Sequence, residues 1–132
     1  MNPVVHFEMP AEDKKRMVDF YSKVFGWQTQ TMGSEMSDYV VVTTTEVNEK
    51  SGRPKVPGAI NGGFFQKDKS KGHEYPSIVI SVDDIKAHMK MVTEAGGKVL
   101  DGPHDIPGVG QYVIFRDTEG NKVSLLQPLQ QM

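Results

Sequence analysis

No cysteine occurs among the 132 residues. A disulfide framework, a thiolate metal site and a cysteine nucleophile are thereby excluded. Long apolar runs are also missing, so no segment approaches a membrane span. The opening Met1-Asn-Pro-Val-Val-His6 has neither the basic residues nor the apolar stretch of a signal peptide. Excess charge of either sign is absent: 15 Lys and Arg against 17 Asp and Glu leave a formal charge of −2. No basic cluster is present to grip nucleic acid. These absences lead to the expectation of a soluble, cytoplasmic protein without nucleic-acid or membrane partners. What is present is a 37% share of hydrophobic residues in a chain the length of one compact domain, enough for a real core.

The stretch from His6 to Trp27 organises the rest. Val5, Phe7 and Met9 alternate with His6 and Glu8, the period of a half-buried strand. Met17, Phe20, Tyr21, Val24 and Phe25 then recur at helical spacing, and Gly26 is placed to end the helix in a left-handed conformation. The apolar stripe and the apolar side of the strand are expected to cover each other. That leaves His6 and Glu8 facing away from the helix.

The same pattern returns between Ser77 and Gly97. At one constant offset Ser77 pairs with His6, Asp84 with Asp13 and Gly97 with Gly26. The repeat is one of pattern rather than of residues, and it divides the chain into two copies of a small unit. In the first copy further strands are predicted at 27–32, 38–45 and 59–66. A Pro/Gly-punctuated polar loop at 48–58 and a charged linker at 67–72 separate or follow them. In the second copy a strand at 76–82 feeds a helix at 84–95, with Asp83 or Asp84 as N-cap. A short strand at 98–100 is bent by Gly102-Pro103, and a strand follows at 109–116. The hairpin turn 117–121 has Gly120 where φ is positive, residues 122–127 close the sheet, and a short tail ends the chain. The predicted class is α+β: two βαβββ modules (1–68 and 75–128, linker 69–74) with helices outside a mixed, incompletely closed sheet around a cleft.

Six segments in this order resemble one family: Phe7-Glu-Met-Pro10, Asp19-Phe-Tyr-Ser-Lys-Val-Phe-Gly-Trp27, Ile80-Ser-Val-Asp-Asp-Ile85, Ala95-Gly-Gly-Lys-Val99, Ile106-Pro-Gly-Val-Gly110 and Asp117-Thr-Glu-Gly-Asn121. Together they are similar to the vicinal oxygen chelate superfamily, which holds glyoxalase I, bleomycin resistance proteins and extradiol dioxygenases. The first and fifth segments look most like a branch of small bacterial proteins without an assigned reaction. In metal-dependent members the first and last strand of each module supply His or Glu ligands. Carried over by position, these are His6, Gly63, Ser77 and Ser124. Only His6 is a good transition-metal ligand, and a catalytic site needs about three protein ligands. No metal and no cofactor are therefore expected. A shifted register, in which His6 and Glu8 recruit His73 or His104, is the alternative.

His6 and Glu8 are thus the candidate catalytic pair, and Gly63, Phe65, Ser77, Tyr112 and Ser124 the candidate ligand-binding residues. Each also has a purely structural reading. His6 and Glu8 can complete a half-buried sheet, Phe65 and Tyr112 can be core, and the serines can serve sheet packing. His73 and His88 read as solvated. The resemblance implies a small-molecule-binding protein, with acid–base chemistry at His6 and Glu8 if it is a catalyst. A metal-dependent lyase, isomerase or dioxygenase is one alternative, and sequestration of a drug or metabolite is another. A homodimer is expected, since relatives pair modules between chains.

Overall fold

A computed structural model describes residues 1–129; the end of the expected tail, residues 130–132, lies outside the described residues. The chain divides into two compact units, His6–Pro76 and a second that holds Met1–Val5 with the chain from Ser77 onward. In the first unit β1 (Val4–Ala11, from His6 onward), α1 (Lys14–Phe25), β2 (Gln28–Thr31), β3 (Val40–Thr43) and β4 (Asn61–Gln66) follow one another. Its strands lie in the order β2-β3-β4-β1, with β4 antiparallel to β3 and parallel to β1. The second contains β5 (Ser77–Ser81), α2 (Ile85–Glu94), β6 (Lys98–Ile106), β7 (Gly110–Arg116) and β8 (Lys122–Pro128). Its order is β5-β8-β7-β6, again with one parallel pair, β5 with β8. Each unit is therefore βαβββ with mixed pairing, the α+β class that the sequence repeat predicts.

The repeat extends to the register. Glu8 lies opposite Gly63 in β1 and β4, and Val79 lies opposite Ser124 in β5 and β8. The offsets that pair His6 with Ser77 and Gly63 with Ser124 thus describe one register used twice. Both helices begin alike: Asp13 Oδ1 accepts from Arg16 N at 3.0 Å, and Asp84 Oδ1 from Ala87 N at 3.1 Å. Such caps satisfy amide groups that have no partner in the first turn.

Packing follows strand alternation. In the first unit Val40, Val42 and Phe64 form the buried core, covered by Phe7, Met9, Met17, Val18, Tyr21 and Trp27. Trp27 stacks on Tyr21 with ring centroids 4.7 Å apart. In the second, Val82, Ile85, Val113, Phe115 and Leu125 do the same, under Met89 and Val92 of α2.

Several expectations are corrected. Phe20, Val24 and Phe25 do not complete the buried stripe of α1; they are 54%, 54% and 60% exposed. The half-buried face is instead centred on Met17, Val18 and Tyr21, and each residue step turns about 100° round the helix, which carries Phe20 off that face. The second helix ends at Glu94, and Gly96 (φ +99°) rather than Gly97 takes the positive-φ position. β6 is not a short strand broken at Gly102-Pro103 but runs through to Ile106, absorbing the interruption as register shifts against β7. The charged linker folds into a 3₁₀ turn at Lys69–Lys71 capped by Asp68. Among the described residues no helix is long and apolar enough to cross a membrane.

Candidate functional site

Phe7 and Met9 face the core of the first unit, so alternation along β1 turns His6 and Glu8 to the opposite face. β4 obeys the same rule. A Cβ added to Gly62 meets the ring of Phe7, whereas one added to Gly63 meets the hydroxyl, Cζ and Cε1 of Tyr39. Tyr39 immediately precedes the core residue Val40, and so belongs to the face that carries His6 and Glu8. Its ring lies over the gap that Gly63 leaves and reaches across to β1. The His6 Nε2 atom is 3.1 Å from the Tyr39 hydroxyl, which donates to Glu8 Oε2 at 3.2 Å. An imidazole, a phenol and a carboxylate are joined in one half-buried cluster. Burial pushes the His6 pKa below its ordinary value of 6.5, and the Glu8 carboxylate opposes that shift.

The structure brings His6, Glu8 and Gly63 together, with Phe65 next but one to Gly63 on the same strand face. Phe65 stands edge-on to His73 at 5.8 Å. His73 is half-buried rather than solvated, since its turn is tied to Asp68 by a backbone bridge. In the second unit Tyr112 and Ser124 share a hydrogen bond of 2.6 Å, and Ser124 is 2% exposed. Ser77 Oγ donates to the carbonyl of Lys122 at 2.9 Å. Tyr112, beside the core residue Val113, faces away from α2 and is not core. His104 pairs with Asp101 at 2.9 Å and both are exposed, while His88 Nδ1 is 3.2 Å from the Asp84 carbonyl in its own helix.

Tyr39 is the residue that the sequence reading missed. Its signal was present: one position before Val40, alternation assigns it to the His6 face.

The donor set does not fit the cation that the fold family implies. Of the ligand positions that the resemblance implies, His6 is already engaged with a phenol, and the side-chain position of Gly63 is filled by that same phenol. Ser77 and Ser124 are neutral hydroxyls with hydrogen-bond partners of their own. Among the described residues no three His, Cys, Asp or Glu side chains group as a metal site. A groove of about 380 Å³ lies elsewhere, beside the start of α1 between Asp13, Met17, Phe20 and Lys67. Two cations on its walls, Arg16 and Lys67, pair with Glu12 at 4.0 and 3.6 Å.

Comparison with known proteins follows the fold. A glyoxylase-like domain-containing protein of Didymella fabae is 34% identical over 121 residues, covering 86% of this chain and 84% of its own. A probable lactoylglutathione lyase of Vibrio cholerae is 25% identical over 94% of this chain and 89% of its own. Among solved structures, a Streptomyces coelicolor methylmalonyl-CoA epimerase superposes with a TM-score of 0.69 at 16% identity, covering 98% and 96% of the two chains. Residues 4–125 match the family described as the Glyoxalase/Bleomycin resistance protein/Dioxygenase superfamily, and the chain belongs to it.

Proposed function

We propose that the chain binds a small oxygenated metabolite at the His6–Glu8 face of its first unit without a resident cation, and that His6 and Glu8 supply acid–base chemistry there. One observation carries this reading. A half-buried imidazole is joined through a phenol to a carboxylate, on the strand face that is not used for the core. Burial favours the neutral ring at pH 7, and a neutral imidazole is able to take a proton. The substrate class that suits such a group is a carbonyl compound with an acidic C–H beside the carbonyl. Two names among the relatives and like folds, a lyase and an epimerase, motivate testing that class first. Pairing of two copies belongs to the same reading, and the exposed Phe20, Val24 and Phe25 of α1 offer apolar surface for it.

The test is deuterium uptake at carbon in D₂O, with a panel of oxo acids, hydroxy ketones and acyl thioesters, alongside calorimetry. Uptake into one class is expected, slowed roughly 100-fold or more in His6→Ala, the size of a general-base contribution. Tight binding without uptake in any class replaces catalysis by sequestration. The absence of both binding and uptake overturns the proposal.

A further inference from the structure

No motif marks Tyr39, yet its hydrogen bonds order the whole cluster. A phenol has one hydrogen to give. Glu8 as a carboxylate only accepts, and a bond to a charged acceptor is the stronger one, so the Tyr39 hydrogen goes to Glu8 Oε2 at 3.2 Å. The Tyr39 oxygen then accepts from His6 Nε2 at 3.1 Å, and Nε2 must carry the ring hydrogen. The proton sequence runs imidazole to phenol to carboxylate.

We propose that Tyr39 is a positioning residue, standing in the space left by the missing side chain of Gly63, that holds His6 in the tautomer whose Nδ1 is the proton acceptor. The inference rests on His6 as the base of the reading above, and its test needs no substrate. The approach to Tyr39 is built to hold it. Ser37 and Asp38, just before it, adopt left-handed conformations with φ of 55° and 53°. Both carbonyls accept from Lys14 Nζ, at 3.2 and 2.9 Å. Tyr39 N donates to the Met36 carbonyl at 3.1 Å, and Met32 N donates to the Tyr39 carbonyl at 2.8 Å. Left-handed non-glycine residues persist where the surroundings over-determine them, and they cluster at functional sites. Glycine at position 63 then has a specific reason: a Cβ there would collide with the hydroxyl end of Tyr39 and force it to shift. A phenol in that gap also presents a hydrogen-bonded hydroxyl where a cation would need a second imidazole or carboxylate.

The experiment is ¹⁵N NMR of the full chain labelled at histidine, near pH 7.5. His6 is expected as the Nε2–H tautomer. Tyr39→Phe keeps the ring but removes the relay, and should shift His6 toward a mixture of tautomers. Gly63→Ala, which displaces the phenol by another route, should reproduce that spectrum. An Nδ1–H tautomer in the unsubstituted chain overturns the inference, and so does a His6 spectrum unchanged in both variants. Absent deuterium uptake with the expected spectra would sink only the substrate reading.

Discussion

Gly63→Ala adds one methyl group, and two opposed effects decide its sign. In a strand interior alanine is favoured over glycine by roughly 0.5–1 kcal/mol, because the unfolded glycine has more freedom to lose. Against this, the new Cβ falls on the hydroxyl end of Tyr39. If Tyr39 stays, overpacking costs about 1–3 kcal/mol. If it leaves, it gives up its bonds to His6 and Glu8, and the bond to the charged partner alone is worth about 1.5–3 kcal/mol. On the central values either route outweighs the backbone gain, for a net loss of about 1–2 kcal/mol. In a chain of 132 residues that lowers Tm by roughly 4–7 °C. The decisive comparison is a double-mutant cycle followed by thermal and urea unfolding. Once Tyr39→Ala has emptied the space, Gly63→Ala should be neutral or stabilising by up to about 1 kcal/mol. Equal cost in both backgrounds, with coupling below about 0.5 kcal/mol, would refute the placement of Tyr39 over Gly63.

Two further outcomes follow from the same contacts. His6 has a folded pKa depressed chiefly by burial, so its neutral form contributes stability that is complete above pH 6.5 and is lost as pH falls from there through the folded value. Glu8→Gln removes the carboxylate that opposes the depression; the folded midpoint should drop further and the loss continue to lower pH. NMR titration of His6 in both proteins checks this, and a midpoint above 6.5 contradicts it. Phe64 is fully buried at 0% exposure, and Phe64→Ala should cost about 3–5 kcal/mol in urea unfolding.

Much of this fold was legible because it is written twice. Asp13 and Asp84 cap equivalent helices, and the paired offsets of first and last strands reappear as the Glu8–Gly63 and Val79–Ser124 registers. Period-2 alternation sufficed to turn His6 and Glu8 away from Phe7 and Met9. It failed where the physics is not local. The apolar count on α1 did not reveal that the sheet covers Met17 and Tyr21 while leaving Phe20 and Val24 in solvent. The Gly102-Pro103 pair reads as a strand breaker, yet register shifts against β7 let β6 continue past it. Tyr39 escaped notice because its role depends on a contact across β4 with residues 31 and 33 positions away, permitted only by the missing side chain of Gly63. A glycine in a strand marks a close approach without saying what approaches.

The central claim is that a phenol has taken the place of a metal ligand and left the first unit with a hydrogen-bonded acid–base cluster. Elemental analysis of protein purified without chelators, paired with titration of nickel, zinc and iron(II) into the same sample, tests it most directly. Metal far below one equivalent per chain, with no saturable uptake that His6→Ala abolishes, is the predicted result. A full equivalent of one cation, bound tightly and lost in His6→Ala, would contradict the account.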